Sequence, residues 1–232
     1  MIEIQRPLWR SLAAEALGTC ILVAIVVGSG IAAQRLSPAD VGLQLLENSI
    51  ATALGLAVLI LIFSPVSGAH FNPVVTLVDL VLHGRPEWAS AVCYVIAQLA
   101  GAIAGALLAN VMFEIPAALS QTDRATPGHL IGEVVATAVL VLVIFSLVRT
   151  GRAALVAPAV GAYIGAAYWF TSSTSFANPA VTVGRMFSDT FAGIAPSSVL
   201  PFLAAQLLGA AIGAGLLVLI FPSTSSTLKG TP

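Results

Sequence analysis

Apolar residues run along this chain in blocks too long and too unbroken for the alternating or every-third patterns of water-soluble elements. Six blocks, at residues 12–33, 50–63, 88–111, 130–148, 153–170 and 199–221, read as membrane-crossing helices. The second and fifth need flanking residues to reach the ~20 positions that span a bilayer core. Two further apolar stretches are short, and each opens on Asn-Pro: Asn72-Pro73-Val74-Val75-Thr76 and Asn178-Pro179-Ala180-Val181-Thr182. Asn caps a helix N-terminus well, and Pro suits the first helical position, where its missing N–H would be unpaired anyway. Each pair therefore starts a helix, over 73–81 and 179–187, about 13 Å long at ~1.5 Å per residue and under half a bilayer deep. The predicted fold class is an all-α membrane protein with six transmembrane helices and two re-entrant half-helices.

The pattern also repeats. Glu15-Ala-Leu-Gly-Thr19 in the first block is echoed by Glu133-Val-Val-Ala-Thr137 in the fourth; Gln98-Leu-Ala-Gly101-Ala-Ile-Ala-Gly105 in the third is echoed by Gln206-Leu-Leu-Gly209-Ala-Ala-Ile-Gly213 in the sixth. With the Asn-Pro elements, three landmarks recur in one order, so residues 1–232 read as a single domain of two repeats, about 8–111 and 129–221. Each repeat holds three full crossings, an odd number, so the second enters the membrane upside down. The half-helices then meet tip to tip at midplane, each bringing roughly +0.5 charge where screening is poor. A cation there is repelled. With their oxygens engaged in capping, the amides of Asn72 and Asn178 turn NH₂ groups to the axis as donors for a neutral, oxygen-bearing solute. Irregular backbone at this depth is tolerated only inside protein or beside a wet cavity, so residues 67–71 and 171–177 are expected to line one, their carbonyls serving as acceptors.

Composition narrows the class further: hydrophobic residues make up 58% and charged residues 8%, which excludes a water-soluble domain. Glu15 lies inside the first block, and that block outruns a signal-peptide core, so the N-terminus is expected to be retained. Arg6, Arg10, Arg85, Arg149, Arg152 and Lys229 fall on one side, Arg35, Arg124 and Arg185 on the other. The positive-inside rule then puts both termini in the cytoplasm and the protein in the cell's inner (plasma) membrane. A net charge of -1 without a polybasic tail argues against a nucleic-acid partner. Cys20 and Cys93 lie within spans with no CxxC spacing and no clustered His, so neither a metal site nor a cofactor is expected. Glu15 and Glu133, as intramembrane carboxylates, are functional candidates by default; the reading here is that each accepts hydrogen bonds from a re-entrant loop, with a proton relay as the rival. His70 is a pore-loop residue with either a packing or a pH-sensing role. Asp79 either biases the cytoplasmic mouth or meets Arg85, the second being the reading taken here. Gly101, Gly105, Gly209 and Gly213 have the small-xxx-small spacing that lets membrane helices approach. His83 and His129, near span ends, have no assigned role.

The run Ser67-Gly-Ala-His70-Phe71-Asn72-Pro73 before a half-helix, the second Asn-Pro-Ala, the paired Glu and the paired Gly-xxx-Gly together resemble the aquaporin, or major intrinsic protein, family over nearly the whole chain. The resemblance implies a homotetramer whose subunits each enclose a pore, with the two Asn residues midway and a narrower filter toward the extracellular mouth. Carried over by spacing from the Asn residues, that filter is Thr52, Ala166, Ser175 and Val181. Family members usually have arginine at the position of Val181 and an aromatic at that of Thr52, and water-selective members often have His where Ala166 stands. Four small uncharged residues imply a wider, less polar constriction that admits solutes larger than water, and Val181 weakens the barrier to protons. Arg185, one turn beyond Val181 on about the same face, either holds positive charge at the outer vestibule or snorkels outward or pairs with Asp189. The missing filter arginine, with Asn-Pro-Val first and Asn-Pro-Ala second, resembles the bacterial arsenic-resistance branch, implying passage of arsenite and related metalloid hydroxy acids as well as water and glycerol-like polyols. The expected function is a passive channel for small neutral solutes and not an enzyme, since neither Ser67 nor Ser175 has a His and an acid at the spacing a nucleophile needs. A water-selective channel, a secondary transporter and a non-conducting scaffold are the alternatives; transporters usually place ionisable residues beside broken helices.

Overall fold

A computed structural model describes residues 7–82 and 87–221. Its elements are α1 (Leu8–Leu36), α2 (Val41–Ser67), α3 (Pro73–Leu82), α4 (Trp88–Met112), α5 (Pro127–Arg149), α6 (Val156–Phe170, entered through a 3-10 turn at Ala153–Leu155), α7 (Pro179–Arg185) and α8 (Pro196–Ile220). Six of them, with the 3-10 turn counted into α6, are long and apolar enough to cross a bilayer, and α3 and α7 are the two stubs. This is the inverted repeat of six spans and two half-helices. Arg6, His83, Arg85 and Lys229 lie outside the described residues.

The second span, α2, begins well before its apolar block, and polar residues near its start face inward. In α2, Gln44 donates to Ser37 O at 2.8 Å, Asn48 donates to Val26 O at 2.8 Å and to Ser29 Oγ at 2.9 Å, and Glu47 accepts from Ser37 Oγ at 2.9 Å. These are the flanking residues that bring the second span to length, with Gln44, Asn48 and Glu47 Oε1 partnered by the end of α1. The stub α7 stops at Arg185, short of the expected residue 187.

The most extensive packing joins α1 to α4 and, equivalently, α5 to α8. Glycine makes both contacts possible. A Cβ on Gly101 would strike the Ala16 carbonyl oxygen of α1, and one on Gly209 would come 2.5 Å from the Val134 carbonyl oxygen of α5. Nothing larger than hydrogen fits there, so the backbones themselves touch. The repeats are joined through α2 with α6, α4 with α7, and α3 with α8. Contacts between helix ends match six crossings: Ser11 with Val66 and Arg149 with Phe221 on one side, Arg35 with Phe113 and Asn110 with Phe187 on the other. Large apolar side chains such as Leu54, Leu61, Val111, Leu200 and Leu219 are exposed on the outer surface, as lipid contact requires, while Trp9, Trp88 and Trp169 are exposed near helix ends, where interfacial aromatics sit.

Candidate functional site

The two stubs meet as the sequence implies, but the meeting is a bonded one. Asn72 Oδ1 accepts from Val74 N at 3.1 Å, and Asn178 Oδ1 accepts from Ala180 N at 2.9 Å and Val181 N at 3.2 Å. With the oxygens capping, each NH₂ group reaches across the repeat: Asn72 Nδ2 donates to Ala177 O at 2.8 Å and Asn178 Nδ2 to Phe71 O at 2.8 Å. One hydrogen of each amide is thus committed to the protein, leaving one for a passing solute. Pro73 and Pro179 occupy the first helical positions, Val74 is buried with residues of α5 and α8, and Ala180 is buried in the main apolar cluster.

The loops leading into the stubs are held in a conformation that side chains resist. Ala69, Phe71, Ser175 and Ala177 all have φ near +50°, at two equivalent pairs of positions. Left-handed backbone costs a non-glycine residue of order 1–3 kcal/mol, so something must hold it. The two buried carboxylates do. Glu15 accepts from Ser67 Oγ at 2.6 Å, His70 N at 3.0 Å, Phe71 N at 2.7 Å and Gln98 Nε2 at 2.8 Å. Glu133 accepts from Phe176 N and Ala177 N, both at 2.8 Å, and from Gln206 Nε2 at 2.6 Å. Both glutamates are 0% exposed and neither lines the cavity, so they hold the loops' N–H groups from the protein side. Gln98 and Gln206 also donate to Thr76 Oγ1 at 3.0 Å and Thr182 Oγ1 at 2.9 Å, tying each stub's first turn to the same carboxylate. The sequence had marked these glutamines only as repeat landmarks; the recurrence of Glu, Gln and Thr together was the signal for a shared clamp.

A cavity of about 450 Å³ passes both Asn residues, from Val148 and Ala153 at one end to Tyr168, Ser175 and Arg185 at the other. Thr52, Ser175 and Val181 line it, as do His70, Phe71 and the rest of the first loop from Gly68. Ala166 does not. It is exposed on the outer face of α6, and the lining residues of that helix are Val160, Ile164 and Tyr168. Counting back from Asn178 assumed a loop of the usual family length. Here Tyr168, ten residues before Asn178, is the α6 side chain beside Thr52, donating to Thr52 Oγ1 at 3.2 Å. The expected set of four small side chains therefore includes an aromatic, supplied by α6 instead of α2. In the second loop only residues 175–177 reach the cavity; Thr171 to Thr174 turn back over the start of α5, where Ser172 Oγ donates to Gly128 O at 2.9 Å.

Arg185 is 2% exposed and faces the cavity, so it neither snorkels nor pairs with Asp189, whose carboxylate accepts from Gln121 N at 2.9 Å. Its Nε donates to Ala192 O and its guanidinium lies over the Phe176 ring, 3.5 Å from the centroid. At the opposite end His70 Nδ1 meets Thr76 Oγ1 at 3.1 Å, and His70 Nε2 is 3.9 Å from Asp79 Oδ2. Outside the membrane-spanning segments, the Ser198 hydroxyl and then the Ala125 N–H hold the Asp123 carboxyl below the usual carboxylate range.

An open cavity running past opposed half-helices, in a bundle of six apolar spans, defines a membrane channel. The chain belongs to the major intrinsic protein family, whose sequence pattern matches residues 3–177, and it is a channel, not an enzyme. It is 52% identical over 204 residues to the aquaglyceroporin AqpS of Rhizobium meliloti (strain 1021), covering 88% of this chain and 86% of that one. Against the glycerol uptake facilitator protein of Streptococcus pneumoniae (strain ATCC BAA-255 / R6) it is 33% identical, covering 89% and 96%. The X-ray structure of the aquaglyceroporin from Plasmodium falciparum shares the fold, with a TM-score of 0.68 at 22% identity over 91% of this chain and 96% of that one.

Proposed function

We propose that the chain is a passive channel for small neutral solutes: water, glycerol-like polyols, and arsenite with related metalloid hydroxy acids. The observation that carries this is the character of the path. Its wall is mostly alkyl, and its polar side chains include the paired Asn amides at mid-path, the hydroxyls of Thr52, Tyr168 and Ser175, Arg185 toward one end, and His70 and Asp79 toward the other. Such a path exchanges hydrogen bonds with a polyol or a triol-like hydroxy acid without offering a cage for a coupling ion. The relatives named above, an aquaglyceroporin and a glycerol facilitator, support the polyol reading. Asn72, Pro73, Val74, Asn178, Pro179 and Ala180 form the midplane station; Thr52, Ser175 and Val181, now with Tyr168, form the narrower one; Glu15 and Glu133 shape the loops without touching solute.

In this reading the chain is one domain of two repeats, assembles as a homotetramer, and sits in the inner membrane with both termini cytoplasmic. Arg10, Arg149 and Arg152 on the terminal side support that orientation. The ring of Tyr168 beside Thr52 favours one alternative, a pore tight enough to pass water alone. Proteoliposome shrinkage with water, glycerol and arsenite decides between them. Val181→Arg is expected to cut glycerol and arsenite flux far more than water flux. Equal losses for all solutes would refute the filter assignment, and water flux without glycerol flux in the unmodified protein would favour the narrow pore.

A further inference from the structure

We propose that Arg185 is the charge-selective element of this pore, acting one helical turn outside Val181 and compensating for the uncharged residue there; the proposal rests on the channel reading above. A buried guanidinium is costly to keep unless it is well held. Here the holding is visible. Three successive carbonyls of the segment after α7 carry two arginines: Ala192 O accepts from Arg185, while Gly193 O and Phe191 O accept from Arg124 Nε at 2.7 Å and Nη2 at 3.0 Å. Both guanidiniums also lie against the Phe176 ring, which packs edge-on to Phe202 with centroids 5.2 Å apart. Arg124 stays out of the cavity wall, whereas Arg185 is part of it.

The remaining guanidinium nitrogens of Arg185 have no hydrogen-bond partner among the described residues. Ser175 lines the same cavity, and its Oγ is buried with no partner among the described residues. Two polar side chains lining one cavity, each with hydrogen-bonding capacity that the described residues leave unused, suit an oxygen-bearing occupant. Among the described residues the carboxylate lining this cavity, Asp79, belongs to α3, beyond the paired Asn tips, so none of their lining carboxylates stands in Arg185's own half. A neutral polyol gains donors from the Arg185 fork and the Ser175 hydroxyl. A hydronium ion or a metal cation instead meets a fixed positive charge where water screens poorly.

The test uses the full chain in liposomes, as wild type, Arg185→Gln, Arg185→Met and the double variant Val181→Arg/Arg185→Gln. Glycerol flux is read by light scattering, and proton flux by an internal pH dye under a potassium diffusion potential. Both single variants are expected to raise the ratio of proton to glycerol flux by about tenfold or more, as removal of a fixed charge a few ångströms from the path requires, with the double variant returning it toward wild type. A wild-type ratio in any single variant that conducts glycerol would overturn the proposal. Loss of glycerol flux in both, with native helical content and assembly, would also overturn it, since Arg185 would then be a structural post. Wild-type vesicles no faster than empty ones for every solute would defeat the channel reading itself, a result distinct from either.

Discussion

Glu133→Gln tests the idea that a buried carboxylate holds the second pore loop open. The native side chain is a pure acceptor, facing Phe176 N, Ala177 N and Gln206 Nε2. A glutamine keeps one oxygen. Placed at the Oε2 position, it retains Ala177 N and Gln206 as neutral bonds, and its own NH₂ then confronts Phe176 N–H, donor against donor. Weakening two charge-assisted bonds costs about 1 kcal/mol each, and stranding a buried N–H about 1–3 kcal/mol, so the loop is expected to lose roughly 3–5 kcal/mol. Since every 1.4 kcal/mol is a factor of ten, amide exchange at Phe176 and Ala177 should quicken by about 10²–10³, and glycerol flux should fall as the left-handed backbone at Ser175 and Ala177 relaxes. Hydrogen–deuterium exchange by mass spectrometry, paired with flux in proteoliposomes, measures both. Glu15→Gln is the internal comparison: it has a fourth partner in Ser67 and should loosen His70 and Phe71 at least as much. Unchanged protection at residues 176 and 177 together with unchanged flux would refute the reasoning.

Gly209→Ala puts a methyl 2.5 Å from the Val134 carbonyl oxygen and 2.9 Å from Thr137 Cβ, so α5 and α8 must part; a stability loss of about 1–3 kcal/mol should lower the melting temperature in detergent, and an unchanged melt would contradict the close packing. Asp123, exposed in the α4–α5 connection, has its folded-state value depressed by Ser198 and Ala125, so its tether to the start of α8 persists at neutral pH and is lost only as pH falls through that lowered value. After correction for intrinsic rates, exchange at Ala125 should rise on acidification in the native protein. In Asp123→Asn, whose amide oxygen still accepts from Ala125 N–H but does not titrate, the corrected exchange should not change with pH, and a matching acid response in the variant would remove the assignment.

Much of this architecture was legible because membrane chemistry restricts what a chain can do. Uninterrupted apolar blocks had to be spans, and Asn-Pro inside an apolar stretch had to start a helix, so the element order and the two stubs followed from residue type. Two things escaped. The inward-facing polar start of α2 fell outside the apolar block and entered only as unspecified flanking residues, because hydropathy registers Gln44, Glu47, Asn48 and Ser49 as polar without knowing that the end of α1 supplies partners for Gln44, Glu47 and Asn48. The α6 contribution to the pore was misplaced at Ala166, because a count across a loop shifts by every residue the loop gains or loses, and nothing in the local pattern around Tyr168 marks it as facing inward. The glutamine clamps were present as Gln98 and Gln206 in the repeat, but only the geometry connects them to Glu15 and Glu133.

The reciprocal bonds from Asn72 to Ala177 and from Asn178 to Phe71 couple the halves like crossed hands, each gripping the other's wrist. Sliding one half along the bilayer normal, as a thinner or thicker lipid film would urge, has to strain both grips together. A shift of one half against the other at mid-depth is therefore resisted by two bonds at once, one from each repeat.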